Sequence, residues 1–335
     1  MTQNQRNDHG SGANVDVLVI GEALVDIVVS SQGTAKHPGG SPANVAYGLG
    51  RLGVHTALLT SIGDDHHGTT IETHLRSAGV HLMPGSKSRG GTSTATGVLT
   101  PDGSAQYDFT IRWEPPRITP SSIPKILHTG SIATFLAPGA AVVRELIEQA
   151  HQHCIVTYDP NIRPALLGSH AEAKTIFEEL ASFTDVVKLS DEDAAWLYPR
   201  LAPDQVSQLI LDLGPGLVVI TRGEQGSLLT MQDAKVDMPP VKSTVVDTIG
   251  AGDAYMSALI YGLLTRNAHG LEPSALDSLG RRASAAAGIT VRRAGAHPPT
   301  SEELHNELQK NQPAQQPPTA RSHRVPALIS GITTD

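Results

Sequence analysis

The chain has 335 residues, of which 39% are hydrophobic and 17% charged, and its formal net charge is −8 at pH 7. This length suits one large α/β domain or two modest ones, and without a basic cluster the acidic balance gives no reason to expect nucleic acid as a partner. One cysteine, Cys154, excludes an intramolecular disulfide, and no apolar run approaches the about 18 residues of a membrane span, so we expect a cytoplasmic protein with no membrane partner.

Strand and helix patterns alternate along most of the chain. Val15–Ile20 is a continuous apolar run that predicts a buried parallel strand. Further strands are predicted at 55–62, 80–83, 127–133, 154–158, 185–189 and 216–221. Helices are predicted at 41–52, 63–78, 138–152, 170–182, 203–213, 253–265, 274–292 and 301–310. Repeated strand–helix units of this kind predict a mostly parallel sheet with helices on both faces.

Two segments, 24–30 and 92–112, interrupt this alternation. The second contains two strand patterns joined by the turn sequence Pro101-Asp102-Gly103-Ser104. Together the segments predict a small antiparallel sheet that is separate from the main one. Residues 226–237 predict a further hairpin. We expect one domain over 14–310, with disordered tails at 1–13 and 311–335.

The stretch Val246–Tyr255 carries the clearest chemical pattern. Gly250 and Gly252 let the backbone turn tightly and approach a ligand closely, and Asp253 stands at the start of a helical pattern. The amides of Ala251, Gly252 and Asp253 would then point out of the helix N-terminus without internal partners, which makes an anion site. A carboxylate beside such a site predicts a base for a hydroxyl that attacks a phosphoryl group. The plain alternative is a capped helix after a glycine turn.

Other motifs follow strands or open helices, and each has a plainer alternative. Gly39–Asn44 would bring backbone and a side-chain amide close to a polyol. Its plainer alternative is a glycine turn before a capped helix. Asp159–Arg163 follows a strand, where open α/β sheets bind ligands, or is a surface turn. The acidic run 190–193 would hold a magnesium–phosphate complex, or complements a helix dipole. Thr221–Gly226 would cover a nucleotide, or is a hairpin turn.

Three further patterns do not support a site. Gly48–Gly53 has the spacing G-x-G-x-x-G, but it closes a helix instead of opening one, which excludes a nicotinamide site there. The sequence contains no G-x-x-x-x-G-K-[ST] loop. His151, His153 and Cys154 lack a fourth zinc ligand at suitable spacing.

Residues 15 to 300 resemble the ribokinase/PfkB-type carbohydrate kinase family, most closely its fructokinase branch. Asp247-Thr248-x-Gly250-Ala251-Gly252-Asp253 is similar to the C-terminal signature of the family, and Gly39-Gly40-x-x-x-Asn44 to its N-terminal signature. The resemblance implies a ribokinase-like three-layer α/β sandwich, with a β lid from about 24–38 and 92–112 over the sugar site. It implies a kinase that uses ATP and Mg²⁺, and in some members K⁺, with a homodimer formed through the lid.

For the acceptor, the resemblance favours the primary hydroxyl of fructose. A 2-keto-3-deoxygluconate kinase or another PfkB-type sugar or nucleoside kinase is the alternative within the family. A sugar- or nucleotide-binding sensor without catalysis is the alternative from another class.

The resemblance also assigns roles to single residues. It implies Asp253 as the catalytic base, with an anion hole formed by the backbone of Gly250, Ala251 and Gly252. The residues implied for acceptor binding are Asp26, Gly40, Asn44, Asn161 and Arg163. Those implied beside the nucleotide are Lys188, Ser190, Thr221, Gly223, Gly226 and Ala296. Asp193 is implied to reach Mg²⁺ through water, although here Ser190 and Asp193 replace the Asn and Glu of the family's N-x-x-E motif, and Asp247 is the candidate for a monovalent cation.

Overall fold

The computed structural model describes residues 15–30, 33–99, 105–119, 122–266 and 272–310. In this part of the chain the strands are β1 (Val17–Ile20), β2 (Leu24–Ser30), β3 (Gly33–Gly39), β4 (Thr56–Leu59), β5 (Ile62–Gly63), β6 (His81–Leu82), β7 (Lys87–Ser88), β8 (Ser93–Leu99), β9 (Ala105–Thr110), β10 (Ile126–Gly130), β11 (Ile155–Asp159), β12 (Val186–Ser190), β13 (Leu217–Thr221), β14 (Ser227–Thr230) and β15 (Lys235–Met238). The α-helices are α1 (Ser41–Arg51), α2 (His66–Ser77), α3 (Gly139–Ala150), α4 (His170–Ala181), α5 (Asp191–Leu197), α6 (Pro203–Leu213), α7 (Ala251–Leu264), α8 (Leu276–Thr290) and α9 (Ser301–Lys310).

The main sheet has nine strands among the described residues, in the order β15-β14-β13-β12-β11-β10-β1-β4-β6. The strands from β13 to β6 run parallel to one another, and the hairpin β14–β15 continues the sheet antiparallel to β13. Parallel strands point their carboxyl ends to one edge, so the loops that follow β1, β10, β11 and β12 meet there. The predicted mostly parallel sheet is confirmed.

Both faces of the sheet are covered, which explains why its strands read as unbroken apolar runs. Val17 and Val19 of β1 face a core formed with α1, α2, α7 and α8, whereas Leu18 and Ile20 face a second core formed with α3 to α6. Leu304 of α9 packs against α7 and α8 in a smaller cluster. None of the described helices combines the length and the hydropathy that crossing a membrane requires.

The second sheet has the order β3-β2-β8-β9 and stands apart from the main one, as predicted. Its strands were predicted to be antiparallel, which is wrong for one pair, because β2 and β8 run parallel, with Leu24 opposite Ser93. The chain passes through β4 to β7 between these two strands and returns in the same direction, a crossover that local sequence patterns do not reveal. We call this sheet the lid sheet, because it covers the cavity described below.

Several boundaries differ from the prediction. β10 ends at Gly130, and a 3₁₀ turn, Ser131–Thr134, takes the place of its predicted last residues. α5 was not predicted as a helix, since seven residues are too few to establish helical periodicity. α7 begins at Ala251, two residues before the predicted start at Asp253. The predicted tails 1–13 and 311–335 and the turn 101–104 lie outside the described residues.

Candidate active site

A cavity of about 350 Å³ lies between the carboxyl edge of the main sheet and the lid sheet. The lid contributes Leu24, Asp26, Ala95 and Phe109 to its wall, and the N-terminus of α7 contributes Gly250, Gly252 and Asp253. Binding sites at this edge are typical of open α/β sheets, because strand ends and helix N-termini converge on it. The cavity is therefore the candidate active site.

Asp253 occupies the first turn of α7 and is half-buried in the cavity wall. Its Oδ1 accepts a hydrogen bond from Ser41 Oγ at 2.6 Å, and its Oδ2 accepts one from Asn44 Nδ2 at 2.9 Å. Burial raises the pKa of Asp253 above its ordinary value of 3.8, while these two hydrogen bonds and the charges of Lys188 and Arg163 oppose that rise. The carboxylate is thus held in one orientation and poised as a base.

The predicted anion hole is smaller than expected. The amide of Ala251 donates to Thr248 O at 3.2 Å, so it is not free, which corrects the expectation that three amides would be available. The amides of Gly252 and Asp253 have no partner among the described residues, and they stand at the positive end of the α7 dipole. Gly250 caps the helix with φ +75°, and a Cβ there would lie 2.6 Å from that of Ala296. Two of the three expected amides therefore remain free beside the carboxylate, and the amide of Gly250 also has no partner among the described residues.

The residues expected to bind the acceptor all line the same cavity: Asp26, Gly40, Asn44, Asn161 and Arg163. Burial raises the pKa of Asp26 to about 6, against the opposing charges of His37 and Arg163. Gly40 has φ +99°, and a Cβ on it would lie 2.6 Å from Glu22 O. The structure thus gathers on one surface residues that are up to 137 positions apart in the sequence, from Asp26 to Arg163 (163 − 26).

Lys188 lies beneath the N-terminus of α7 and does not line the cavity. Its Nζ donates to Asp159 Oδ2 at 2.6 Å, and both side chains are only 4% exposed. Burial raises the pKa of Asp159 to about 6, although the Lys188 ammonium opposes the rise. A Cβ on Gly252 would stand 3.5 Å from Lys188 Nζ, so the ammonium adds positive charge directly behind the free amides.

Asp193 accepts hydrogen bonds from the backbone of two segments. Its Oδ2 accepts the amide of Ser190 in a capping box that opens α5, and its Oδ1 accepts the amide of Ile162 at 2.8 Å. Each carboxylate oxygen already holds one N–H, and the residue is 7% exposed. These contacts give Asp193 a structural role, and its predicted contact with a metal ion through water stays a prediction.

The other residues predicted beside the nucleotide do not line this cavity. Thr221 ends β13 directly opposite Ser190, and Gly223 and Gly226 shape the 3₁₀ turn that follows with φ +51° and +83°. Asp247 joins two loops, since it accepts the amides of Ile249 and Gly295 at 3.0 and 2.8 Å. No group of three or more His, Cys, Asp or Glu side chains suited to a metal ion occurs within the described ranges.

Several residues of the cavity received no role from the sequence, and three of them are polar groups used below. Ser41 is part of a quoted motif, and its hydroxyl donates to Asp253. Glu22 lies two residues beyond the end of β1, Ser131 lies directly after β10, and both line the cavity. Their positions just beyond strand ends are the signal that could have found them.

Comparison with known proteins gives a consistent result. The pfkB family of carbohydrate kinases matches residues 14–303. Fructokinase from Rhizobium leguminosarum bv. trifolii is 32% identical over 263 residues, which cover 75% of this chain and 80% of that protein. Fructokinase from Xylella fastidiosa, solved with bound ATP, has a TM-score of 0.78 at 25% identity and covers 88% of this chain and 98% of its own.

A double mutant of the Vibrio cholerae O395 fructokinase, solved with fructose, ADP and potassium ion, has a TM-score of 0.74 at 25% identity, over 89% of this chain and 99% of its own. The fold is therefore ribokinase-like, as expected from the sequence. A carboxylate on a helix N-terminus, free amides beside it and a lidded cavity agree with that match. The chain belongs to the pfkB family of carbohydrate kinases and is an ATP-dependent sugar kinase.

Proposed function

We propose that this kinase is a fructokinase, which transfers the γ-phosphoryl group of ATP to a primary hydroxyl of fructose. The observation that carries the proposal is the placement of Asp253 in the cavity, fixed by Ser41 and Asn44 and adjacent to two free amides. The relatives named fructokinase support fructose as the acceptor. The polar wall that includes Asp26, Asn44 and Asn161 suits a small polyol.

In the proposed reaction, the acceptor hydroxyl oxygen bonds to the γ-phosphorus, and the bond from that phosphorus to the β–γ bridging oxygen breaks. The hydroxyl proton passes to Asp253, and ADP leaves with the electron pair of the broken bond. The Gly252 and Asp253 amides stabilise charge on the transferring group, with Lys188 behind them. The lid sheet excludes water, so that ATP is not hydrolysed.

Binding of the nucleotide at the ends of β12 and β13 is part of the same proposal. Ser190, Thr221, Gly223 and Gly226 lie there, and Ala296 packs against Gly250. Mg²⁺ bound to the phosphate oxygens would neutralise part of their charge. Asp193 would contact that ion only through water, and Asp247 stays the candidate beside a monovalent cation such as K⁺.

The alternative acceptor is 2-keto-3-deoxygluconate, and one observation favours it. Arg163 lines the cavity, and its Nη1 donates only to the backbone carbonyls of Asn161 and Ile162, at 3.3 and 2.9 Å. A guanidinium without a carboxylate partner among the described residues is able to bind an acid group on the substrate.

The test is a coupled assay for ADP release with fructose, 2-keto-3-deoxygluconate, ribose and adenosine. We expect the highest kcat/KM with fructose. For Arg163→Ala we expect a loss of about tenfold or more in kcat/KM with the keto acid and a smaller loss with fructose, which has no acid group. A wild-type preference for the keto acid would contradict the proposal.

Assembly and location remain predictions. A homodimer through the lid sheet agrees with the exposed Val28 and Val98 on its strands, which are 37% and 43% exposed. Sedimentation or gel filtration that gives a single-chain mass would contradict it. A cytoplasmic location is expected from the lone cysteine.

A further inference from the structure

Glu22 is a buried acid in the acceptor cavity that the proposed reaction does not use. It lies two residues beyond the end of β1, is 4% exposed and lines the cavity with Asp253. No Lys, Arg or His among the described residues forms an ion pair with it. Burying a carboxyl group without a counter-ion costs free energy unless hydrogen bonds compensate for it.

The carboxyl holds the turn after β10. Glu22 Oε2 accepts the Ala133 amide at 3.3 Å, and the neighbouring Ser131 side chain lowers the pKa of Glu22. Trp113 Nε1 holds the same turn from the other side by donating to Ala133 O at 2.9 Å. Ser131 adopts φ +55°, a left-handed conformation that costs a residue other than glycine and persists only when its neighbours enforce it.

The Ser131–Ala133 turn contacts Asn161, a residue that faces the sugar site. Asn161 Nδ2 lies 3.4 Å from Ser131 Oγ, and both residues line the cavity. Asn161 also has a positive φ of +39°. We propose that Glu22 is a positioning residue of the acceptor site: it holds the Ser131–Ala133 turn, and through it the amide of Asn161, in the geometry that binds the sugar.

The protonation of Glu22 follows from its surroundings. Burial raises the pKa of Glu22 to about 8, although its hydrogen bonds with Ser131 and Ala133 oppose the rise, and the charge of Asp253 adds to it. The charged groups that face the same cavity are Asp253 on α7, Asp26 on β2 and Arg163 after β11. Near neutral pH Glu22 is therefore uncharged, which keeps a second negative charge away from Asp253.

This inference rests on the proposed binding of the sugar in this cavity, and Trp113 supplies a reporter for it. The chain has two tryptophans, so Trp196→Phe leaves Trp113 as the single tryptophan. Trp113 contacts the turn that Glu22 holds. Titration of this protein with fructose, followed by Trp113 fluorescence, gives a Kd that does not depend on turnover. Initial rates give KM for fructose and for ATP separately.

We compare Glu22→Gln, which keeps the shape without a charge, with Glu22→Ala and with Glu302→Gln as an exposed control. Glu22→Gln should keep Kd and KM for fructose within about twofold at pH 7. Glu22→Ala should raise Kd and KM for fructose about tenfold or more, with KM for ATP within about twofold.

The inference would be overturned if Glu22→Gln lost affinity at pH 7 as Glu22→Ala does, or if Glu22→Ala kept the wild-type Kd for fructose. An equal rise of KM for ATP would also overturn it, because it would indicate a general loss of structure. If Glu22→Ala does not fold, the Kd of Glu22→Gln for fructose at pH 7 decides alone. A wild type that neither binds nor phosphorylates fructose would contradict the proposed acceptor instead. The same titrations would then use the preferred sugar of the panel.

Discussion

Asn44 on α1 donates a hydrogen bond of 2.9 Å to Asp253 on α7, across 209 residues of sequence. Ser41, also on α1, donates to the other oxygen of the same carboxylate. Both helices begin after a glycine with positive φ, Gly40 and Gly250, so their N-termini approach each other closely at the cavity. The two signature segments of the chain are therefore parts of one site, in which α1 orients the carboxylate that α7 carries.

The first prediction concerns these two hydrogen bonds. Both favour the ionised carboxylate, so Ser41→Ala and Asn44→Ala should each raise the pKa of Asp253 further above its ordinary value. The acid limb of kcat/KM for the sugar should move to higher pH by about one unit in each variant. Rates measured between about pH 4 and pH 8 test this. Asn306→Ala, an exposed change on α9, is the control, and an unmoved acid limb in both variants would show that the bonds do not hold the base.

The second prediction concerns the buried pair Lys188–Asp159. Lys188→Met leaves Asp159 buried without its partner and should lower the free energy of unfolding by about 3–5 kcal/mol. Lys235→Met is a matched control, because its partner Asp204 and Lys235 itself are 61% and 49% exposed, and it should cost less than about 1 kcal/mol. Urea denaturation measures both.

The pH dependence of the same variant has a definite sign. Asp159 has a raised pKa in the folded state, so the folded protein keeps a proton that the unfolded chain has lost. The contribution of Asp159 to the free energy of unfolding therefore falls as pH rises through its folded pKa. Loss of Lys188 raises that pKa further. The deficit of Lys188→Met should therefore grow between about pH 6 and pH 8, and a constant deficit would contradict the ionic role of the pair.

The third prediction separates backbone strain from packing at the cap of α7. Gly250 has φ +75°, and a Cβ there would lie 2.6 Å from Ala296 Cβ, whereas Gly53 has φ +83° with no heavy atom within 4 Å. Gly53→Ala should cost only the left-handed conformation, about 1–2 kcal/mol of unfolding free energy. Gly250→Ala should cost about 1–3 kcal/mol more and reduce activity, because Ala296 and the free amides must shift. Equal losses in the two variants would exclude the contact with Ala296.

The sequence alone predicts the parts of this site that lie in short local motifs. Asp253, Gly250 and Asn44 stand in segments whose glycines and spacing indicate a ligand-binding turn, and the strand–helix alternation predicts the main sheet. All of this information lies within about a dozen neighbouring residues, where periodicity and turn chemistry operate.

The parts that were missed depend on distant contacts. The bond between Ser41 and Asp253 joins residues 212 positions apart, and that between Glu22 and Ala133 joins residues 111 apart. The parallel pairing of β2 with β8 depends on the path of the chain between them. The Ala251 amide was expected to be free because its bond to Thr248 O closes a turn before α7 that the motif does not reveal.

The most direct measurement is kcat of Asp253→Asn with saturating ATP and the preferred sugar. The substitution keeps the shape of the side chain but removes the base, so kcat should fall about 100-fold or more. Asp233→Asn, an exposed change in the turn between β14 and β15, should leave kcat unchanged. A kcat of Asp253→Asn within about threefold of the wild type would contradict the assignment of Asp253 as the residue that takes the proton from the acceptor.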